Sequence, residues 1–295
     1  MERGKLPSRI AQRRVLTLAI VALGFRLTLT GQPLATQQGT LALPHAGPRV
    51  GAILDGLHAR LRQKALNLDS ASLDLLFPVL GKIPGWQSDL MLINNKTVSQ
   101  RVVILFLEQG KNNANAEVRG YTIPAQFMVY WHDFFGTGLG ITGIGSVIIA
   151  GADNLGNLDS TASIDGSARL YQTTSAGGTL SQMFPAVPLQ DAPSGARTTA
   201  LGLRSDQNFR TNAGVVNPDS VAHTFTVSIV AAGVSSFQIS VPPYSMMQVR
   251  IPNDGSYGDI ALQFTSDSGS WWSSYGASVD NISGDSWSAH GALAY

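Results

Sequence analysis

The chain has 295 residues, of which 31 are glycine, none is cysteine and only 13% are charged. The lack of cysteine excludes disulfides, thiolate nucleophiles and Cys-ligated metals. The formal charge of +1 resides in the N-terminus: residues 1–35 carry six basic side chains and one acidic one, and the remainder stands at −4, a poor balance for neutralising nucleic-acid phosphates.

Residues 1–35 read as a signal peptide. Arg3, Lys5, Arg9, Arg13 and Arg14 precede a mostly apolar run over 16–29, and Gln32-Pro33-Leu34-Ala35 offers a cleavage site. Arg26 interrupts the run, which is shorter than the about 20 apolar residues a membrane-spanning helix needs. The expected product is secreted, extracellular or periplasmic, with no membrane span in the mature chain. Residues 36–85 are expected to form a linker and an amphipathic helix. Val50, Ile53, Leu54, Leu57 and Leu61 share one face at helical spacing, with Arg60, Arg62 and Lys64 near the C-terminal end, where cations suit the helix dipole. Such a stripe fits local packing on a first sandwich better than a pro-segment or a partner-binding helix. A further short helical turn is expected over 70–76, ahead of Pro78.

An internal repeat follows. Residues 86–107 match residues 209–230 in order: an aromatic (Trp86, Phe209), Asp89 or Asn212, an apolar run ending in Asn94 or Asn217, and a polar turn. Apolar residues then alternate at period two: Val102, Ile104 and Phe106 against Phe225, Val227 and Ile229. That period marks strands with one buried face, and the short polar turn makes each copy a hairpin. Both copies lead to a strand meeting proline, Ile123-Pro124 and Val241-Pro242, where a ladder must stop or lie at an edge. The expected fold is all-β, two tandem Ig-like or jelly-roll-like β-sandwiches. The first is expected over 86–188 with an insertion around 131–160, then a connector over 189–208, then the second over 209–295.

Three further stretches carry a resemblance: Ala168-Arg169-Leu170-Tyr171-Gln172-Thr173-Thr174 with Gly177-Gly178-Thr179 and residues 182–188; Leu201-Gly202-Leu203-Arg204 leading into 209–217; and residues 275–285. Together they resemble tandem β-sandwich modules of uncharacterised exported bacterial proteins, often appended to extracellular hydrolases. The resemblance spans most of 86–290. It implies an accessory, adhesive or surface role and brings no catalytic residues with it.

Candidate chemistry is sparse. Gly138-Leu139-Gly140-Ile141-Thr142-Gly143 matches a dinucleotide fingerprint in letters, but the β-branched run Val147-Ile148-Ile149 follows where a helix is required, so a loop is expected. Asp153, Asn154, Asn157 and Asp159 crowd a glycine-containing loop. Their oxygens could hold calcium, the one cofactor considered, although Asp and Asn are also turn formers. Asn253, Asp254 and Asp259 form a looser cluster of the same kind. No Gly-x-Ser-x-Gly elbow accompanies His45, His58, His132, His223 or His290. Outside the leader the glutamates are Glu108 and Glu117, both flanking an expected hairpin turn. His132-Asp133, in an aromatic cluster with Tyr130, Trp131, Phe134 and Phe135, is the first place to look for a site. Asn95-Lys96-Thr97 and Asn281-Ile282-Ser283 match the glycosylation acceptor pattern.

The aromatic candidates for binding are Trp131, Trp271, Trp272, Tyr275 and Trp287. Adjacent tryptophans on a strand point to opposite faces, so one of Trp271 and Trp272 faces outward unless the neighbouring module covers it. An outward row would stack on sugar rings or bury against a partner. The function expected is a non-catalytic exported structural, adhesive or interaction protein of the bacterial cell surface. Its partners would be a polysaccharide, a protein or copies of itself, and no nucleic acid. A carbohydrate-binding module is the alternative, with an extracellular hydrolase behind it.

Overall fold

The computed structural model describes residues 48–64, 74–189, 195–231, 233–267 and 271–293. The leader expected over 1–35 and the segment 65–73 lie outside the described residues. Helix α1 (Val50–Lys64) forms where the 3.6-residue stripe placed it, and Val50, Ile53, Leu54 and Leu57 enter the first hydrophobic core. Of the helical turn expected over 70–76, residues 74–76 belong instead to strand β1 (Asp74–Lys82). Leu75, Leu76 and Phe77 are buried in succession, a run that suits a strand covered on both faces.

Among the described residues nine strands build each module. The first continues with β2 (Gln87–Asn94), β3 (Gln100–Glu108), β4 (Arg119–Ile123), β5 (Met128–Trp131), a π-helical turn (Phe134–Leu139), β6 (Gly143–Ala152), β7 (Ile164–Thr173), β8 (Thr179–Pro185) and β9 (Val187–Pro188). The second has β10 (Arg197–Ser205), β11 (Phe209–Asn217), β12 (His223–Val230), β13 (Val234–Val241), β14 (Ser245–Arg250), β15 (Gly258–Ser266), β16 (Ser273–Asp280), β17 (Ser286–His290) and β18 (Ala292–Leu293).

The first module pairs a sheet 1A of order β4-β3-β6-β1-β9 with a sheet 1B of order β5-β2-β7-β8. The second pairs a sheet 2A of order β13-β12-β15-β10-β18 with a sheet 2B of order β14-β11-β16-β17. Adding nine to each strand number of the first module yields the second. The duplication is therefore wider than the segment legible in sequence, and that segment is no hairpin. Strand β2 pairs with β5 and β7 while β3 pairs with β4 and β6, and β11 and β12 are divided between sheets in the same way, so each polar turn crosses from one sheet of the sandwich to the other. It includes β1, ahead of the expected start at Trp86, and β10, inside the expected 189–208 connector. Both escaped notice because Leu75-Leu76-Phe77 and Thr198-Thr199-Ala200 share no side-chain pattern. They do share a backbone irregularity, a register shift between Phe77 and Leu80 and between Ala200 and Leu203, 123 positions apart.

The same spacing of 123 links two polar clamps. Asn94 and Asn217 are fully buried at the ends of β2 and β11. The Asn94 Nδ2 group donates to the carbonyls of Val98, Ile123 and Pro124 at 2.8, 3.2 and 2.9 Å. Asn217 donates to Val221, Val241 and Pro242 at 2.8, 3.3 and 2.9 Å. Each Oδ1 accepts the amide two residues on, Lys96 or Asp219. One amide side chain thus closes the turn after its own strand and catches the end of β4 or β13, where proline removes a ladder donor.

Within the described residues both sandwiches belong to one compact unit. Sheet 2B joins them. Its Ala213 and Val215 point into the second core, and its Val216, Met246, Tyr275 and Ala277 point into the first. Strand β14 packs on β3 and β6, and β11 and β16 pack on β1. Gly214 is required beneath Tyr275, because a Cβ there would sit 2.1 Å from the ring. Sheet 2A is covered on one face only. The half-buried Thr226, Ser228 and Val230 stand where sheet 1A has the buried Val103, Leu105 and Leu107.

Asn94→Ala and Asn217→Ala are each expected to cost about 2–4 kcal/mol of unfolding free energy in urea titrations, because three carbonyls lose a buried donor. Asn→Asp at either position is expected to destabilise as well, since a carboxylate cannot donate; a neutral effect of all four substitutions would refute the clamp.

Candidate functional site

Four of the five aromatic candidates are interior. Trp131 packs edge-on against Tyr121 and Phe134 in the first core. Trp271 and Trp272 do point opposite ways, and both sides are covered: Trp271 belongs to the first core, stacked on His58 at 4.7 Å, and Trp272 to the second, against Phe225 at 5.3 Å. Tyr275 is fully buried, its hydroxyl donating to Gln248 Oε1 at 2.7 Å, and burial pushes its pKa well up. These rings present no outward row: Trp131 and Trp272 fill the cores of their own modules, and Trp271 and Tyr275 are covered by the neighbouring one. Trp287 on β17 is the partly exposed member. Its indole N–H donates to the Gly202 carbonyl at 2.8 Å, and it meets Phe209 edge-on, with the Arg204 guanidinium 4.5 Å from the Phe209 ring centre.

The calcium candidates are engaged by their own turns. Asp153 accepts the amides of Leu155 and Asn157 and the Asn157 side chain. Asp159 accepts the Thr161 amide and hydroxyl and faces Lys96 at 3.4 Å. Asn154 lies exposed in the same loop. Among the described residues no group of three or more His, Asp or Glu side chains could hold a metal ion. Asp254 is likewise committed to Ser205, the Thr211 amide and Arg250.

The glycine run over 138–143 closes a π-helical turn, with Gly140 at φ 69° as its left-handed cap, and then enters β6. No helix follows it, so no helix amides face a pyrophosphate there.

His132-Asp133 does mark a polar constellation, centred on Asp89, which the sequence singled out only as a position of the repeat. Asp89 on β2 is fully buried. Its Oδ2 accepts from Arg169 Nη2 at 2.7 Å and from the Tyr130 hydroxyl at 2.8 Å, and its Oδ1 accepts the Asp133 amide at 3.0 Å. His132 Nδ1 lies 3.9 Å from the same carboxylate. Cross-strand register explains the meeting, since Asp89 stands opposite Arg169 and Met91 opposite Tyr130. Asp133, left-handed at φ 47°, caps the π-helical turn through the Gly136 amide and pairs with Lys82. Burial alone would raise the Asp89 pKa, but the bonds from Arg169, the Asp133 amide and Tyr130 outweigh it and hold it below the usual carboxylate value. Burial and the adjacent carboxylate push Tyr130 up to about 12. An ionised Asp89 paired to Arg169, with Tyr130 kept as a proton donor, fastens the π-helical turn to sheet 1B.

The histidines are dispersed: His58 on α1, His132 after β5, His223 on β12 and His290 on β17. His45 lies outside the described residues. His223 is buried with Nε2 3.2 Å from Asp219 and Nδ1 3.2 Å from Asp267. Both ring nitrogens face carboxylates and neither faces a hydroxyl nucleophile.

No protein-family model matches the chain, and no curated protein matches it either.

A carboxyl held below its unfolded pKa contributes stability that is complete above about pH 4 and lost as pH falls through the folded value. Asp89→Asn should therefore narrow the gap between unfolding free energies measured at neutral pH and in acid. Asp159, which the Thr161 bonds hold at about 2 despite partial burial, still contributes in that variant. An acid dependence identical to wild type would remove Asp89 from the account.

Proposed function

We propose that this chain is a non-catalytic interaction protein, exported to the bacterial cell surface, that presents the outer face of sheet 1B to a partner. The observation that carries the reading is internal. Sheet 1B occupies in the first module the place of sheet 2B in the second, and the counterpart face of sheet 2B is buried against the first module. On sheet 2B that face carries Val216 opposite Met246; on sheet 1B it carries Ile93 opposite Met128, exposed by 37% and 45%. Met183, 50% exposed, lies on the same face beside Arg169. Apolar side chains gathered on a sheet face support contact with another surface. The export element rests on the leader pattern over 1–35, and the bacterial setting on the module resemblance. A second reading, carbohydrate binding, is favoured by the partly exposed Trp287 with Phe209 and Arg204 beside it.

Light scattering after size exclusion, over a range of concentrations, and a glycan array test both. Self-association or glycan binding that the exposed double substitution Ile93→Glu/Met128→Glu weakens at least about tenfold supports the sheet 1B face. Glycan binding lost in Trp287→Ala and kept in the double variant supports the second reading. A strict monomer that binds nothing on the array refutes both.

A further inference from the structure

Where sheet 2B meets the first sandwich, the two surfaces do not close completely. A cavity of about 180 Å³ remains, walled on one side by β1 and the turn that follows it, β6, β7 and β8, and on the other by β11, β14, β16 and β17. Its apolar walls include Val79, Ile83, Leu170 and Val279, with Trp86 at the margin. Its polar groups converge from both modules and are rich in donors. Gln182 on β8 is only 6% exposed, and its buried Nε2 has no protein partner. The buried Ser286 hydroxyl has none either. Gln248 spends its Oε1 on the Tyr275 hydroxyl, which leaves its NH₂ to donate. Arg210 is among the lining residues, and its guanidinium donates to a neutral partner, Asn281 Oδ1, at 2.7 Å on the exposed side. Among the described residues neither Asp nor Glu lines the space.

We infer that this inter-module cavity is a binding site for a small monocarboxylic acid with a compact apolar body. Unpaired buried donors call for an acceptor, since a buried donor left unmade keeps its full desolvation cost. Water could meet the polar groups, but it leaves the apolar wall of Val79, Ile83 and Leu170 unfilled. A carboxylate supplies acceptors only. It matches the guanidinium in charge and forked geometry, while its body fills the apolar wall. The size is set by the volume: cavities of about 150 Å³ take up benzene, so a body of roughly six to nine non-hydrogen atoms fits. Sites of this kind, apolar with a few convergent polar groups, favour boundaries between domains. The inference is independent of what meets sheet 1B.

Calorimetry and amide NMR shifts of the full chain, titrated with benzoate, benzamide and benzylammonium, test it. Benzoate is expected to bind saturably at millimolar concentration or below, with shifts clustered around Gln182, Arg210 and Ser286. Benzamide is expected to bind at least about tenfold more weakly and benzylammonium not at all. Arg210→Met should cost benzoate at least about tenfold and leave benzamide nearly unaffected. Gln182→Leu, which fills the cavity and removes a donor, should abolish both, and it decides the matter alone if Arg210→Met fails to fold. Equal affinity for benzoate and benzamide, or benzoate affinity unchanged in the folded variants, overturns the assignment. Absence of saturable benzoate binding also overturns it, and leaves water as the occupant.

Discussion

Everything in the described structure depends on sheet 2B being buried on both faces. A β-strand sends successive side chains to opposite sides, so β11 must satisfy two interiors at once. Ala213 and Val215 serve the second core, while Val216 and the cross-strand Met246 serve the first. Gly214 leaves room for the Tyr275 ring, and Tyr275 in turn needs Gln248 for its hydroxyl. A polar change on either face of this sheet would place an unpaired group in one core or the other. The two modules therefore share apolar burial instead of hanging from a flexible linker, and the inter-module cavity exists because that shared packing is incomplete at one end.

The charged and polar side chains are mostly spent on holding strands and turns. Asn94 and Asn217 complete backbone bonding where a proline ends the strand across the sandwich. Asp89 gathers Arg169, Tyr130 and the Asp133 amide, and His223 sits between Asp219 and Asp267. In a chain with so few charges and no cysteine, these buried polar contacts fix which strand ends meet. The apolar cores supply most of the driving force, because area removed from water is the dominant favourable contribution to folding.

Duplication followed by divergence of surfaces accounts for the differences between modules. The face of sheet 1A that carries Val103, Leu105 and Leu107 is buried, and its counterpart on sheet 2A has Thr226, Ser228 and Val230 in their place. The one buried face expected from alternation in both copies holds in β12 and fails in β3, where the apolar residues from Val102 to Leu107 are unbroken and both faces are covered. Sheets 1B and 2B differ the other way: the counterpart face is interior on 2B and open on 1B, where Ile93, Met128 and Met183 remain exposed.

The sequence alone determined the all-β class, the helix over α1 and the matching strand-turn-strand segments of the two copies, because side-chain periodicity and turn chemistry are local properties. That the two strands of each segment belong to opposite sheets, and so form no hairpin, was decided by the tertiary structure. It also pointed to His132-Asp133, though not to Asp89 as the centre of that cluster. The register that sets Asp89 opposite Arg169 is a relation between residues eighty positions apart. Tertiary structure alone decided that β1 and β10 complete the repeat, and that Trp131, Trp271, Trp272 and Tyr275 are interior. Periodicity says which residues share a face of a strand; only the packing of one sheet on another says whether that face meets water.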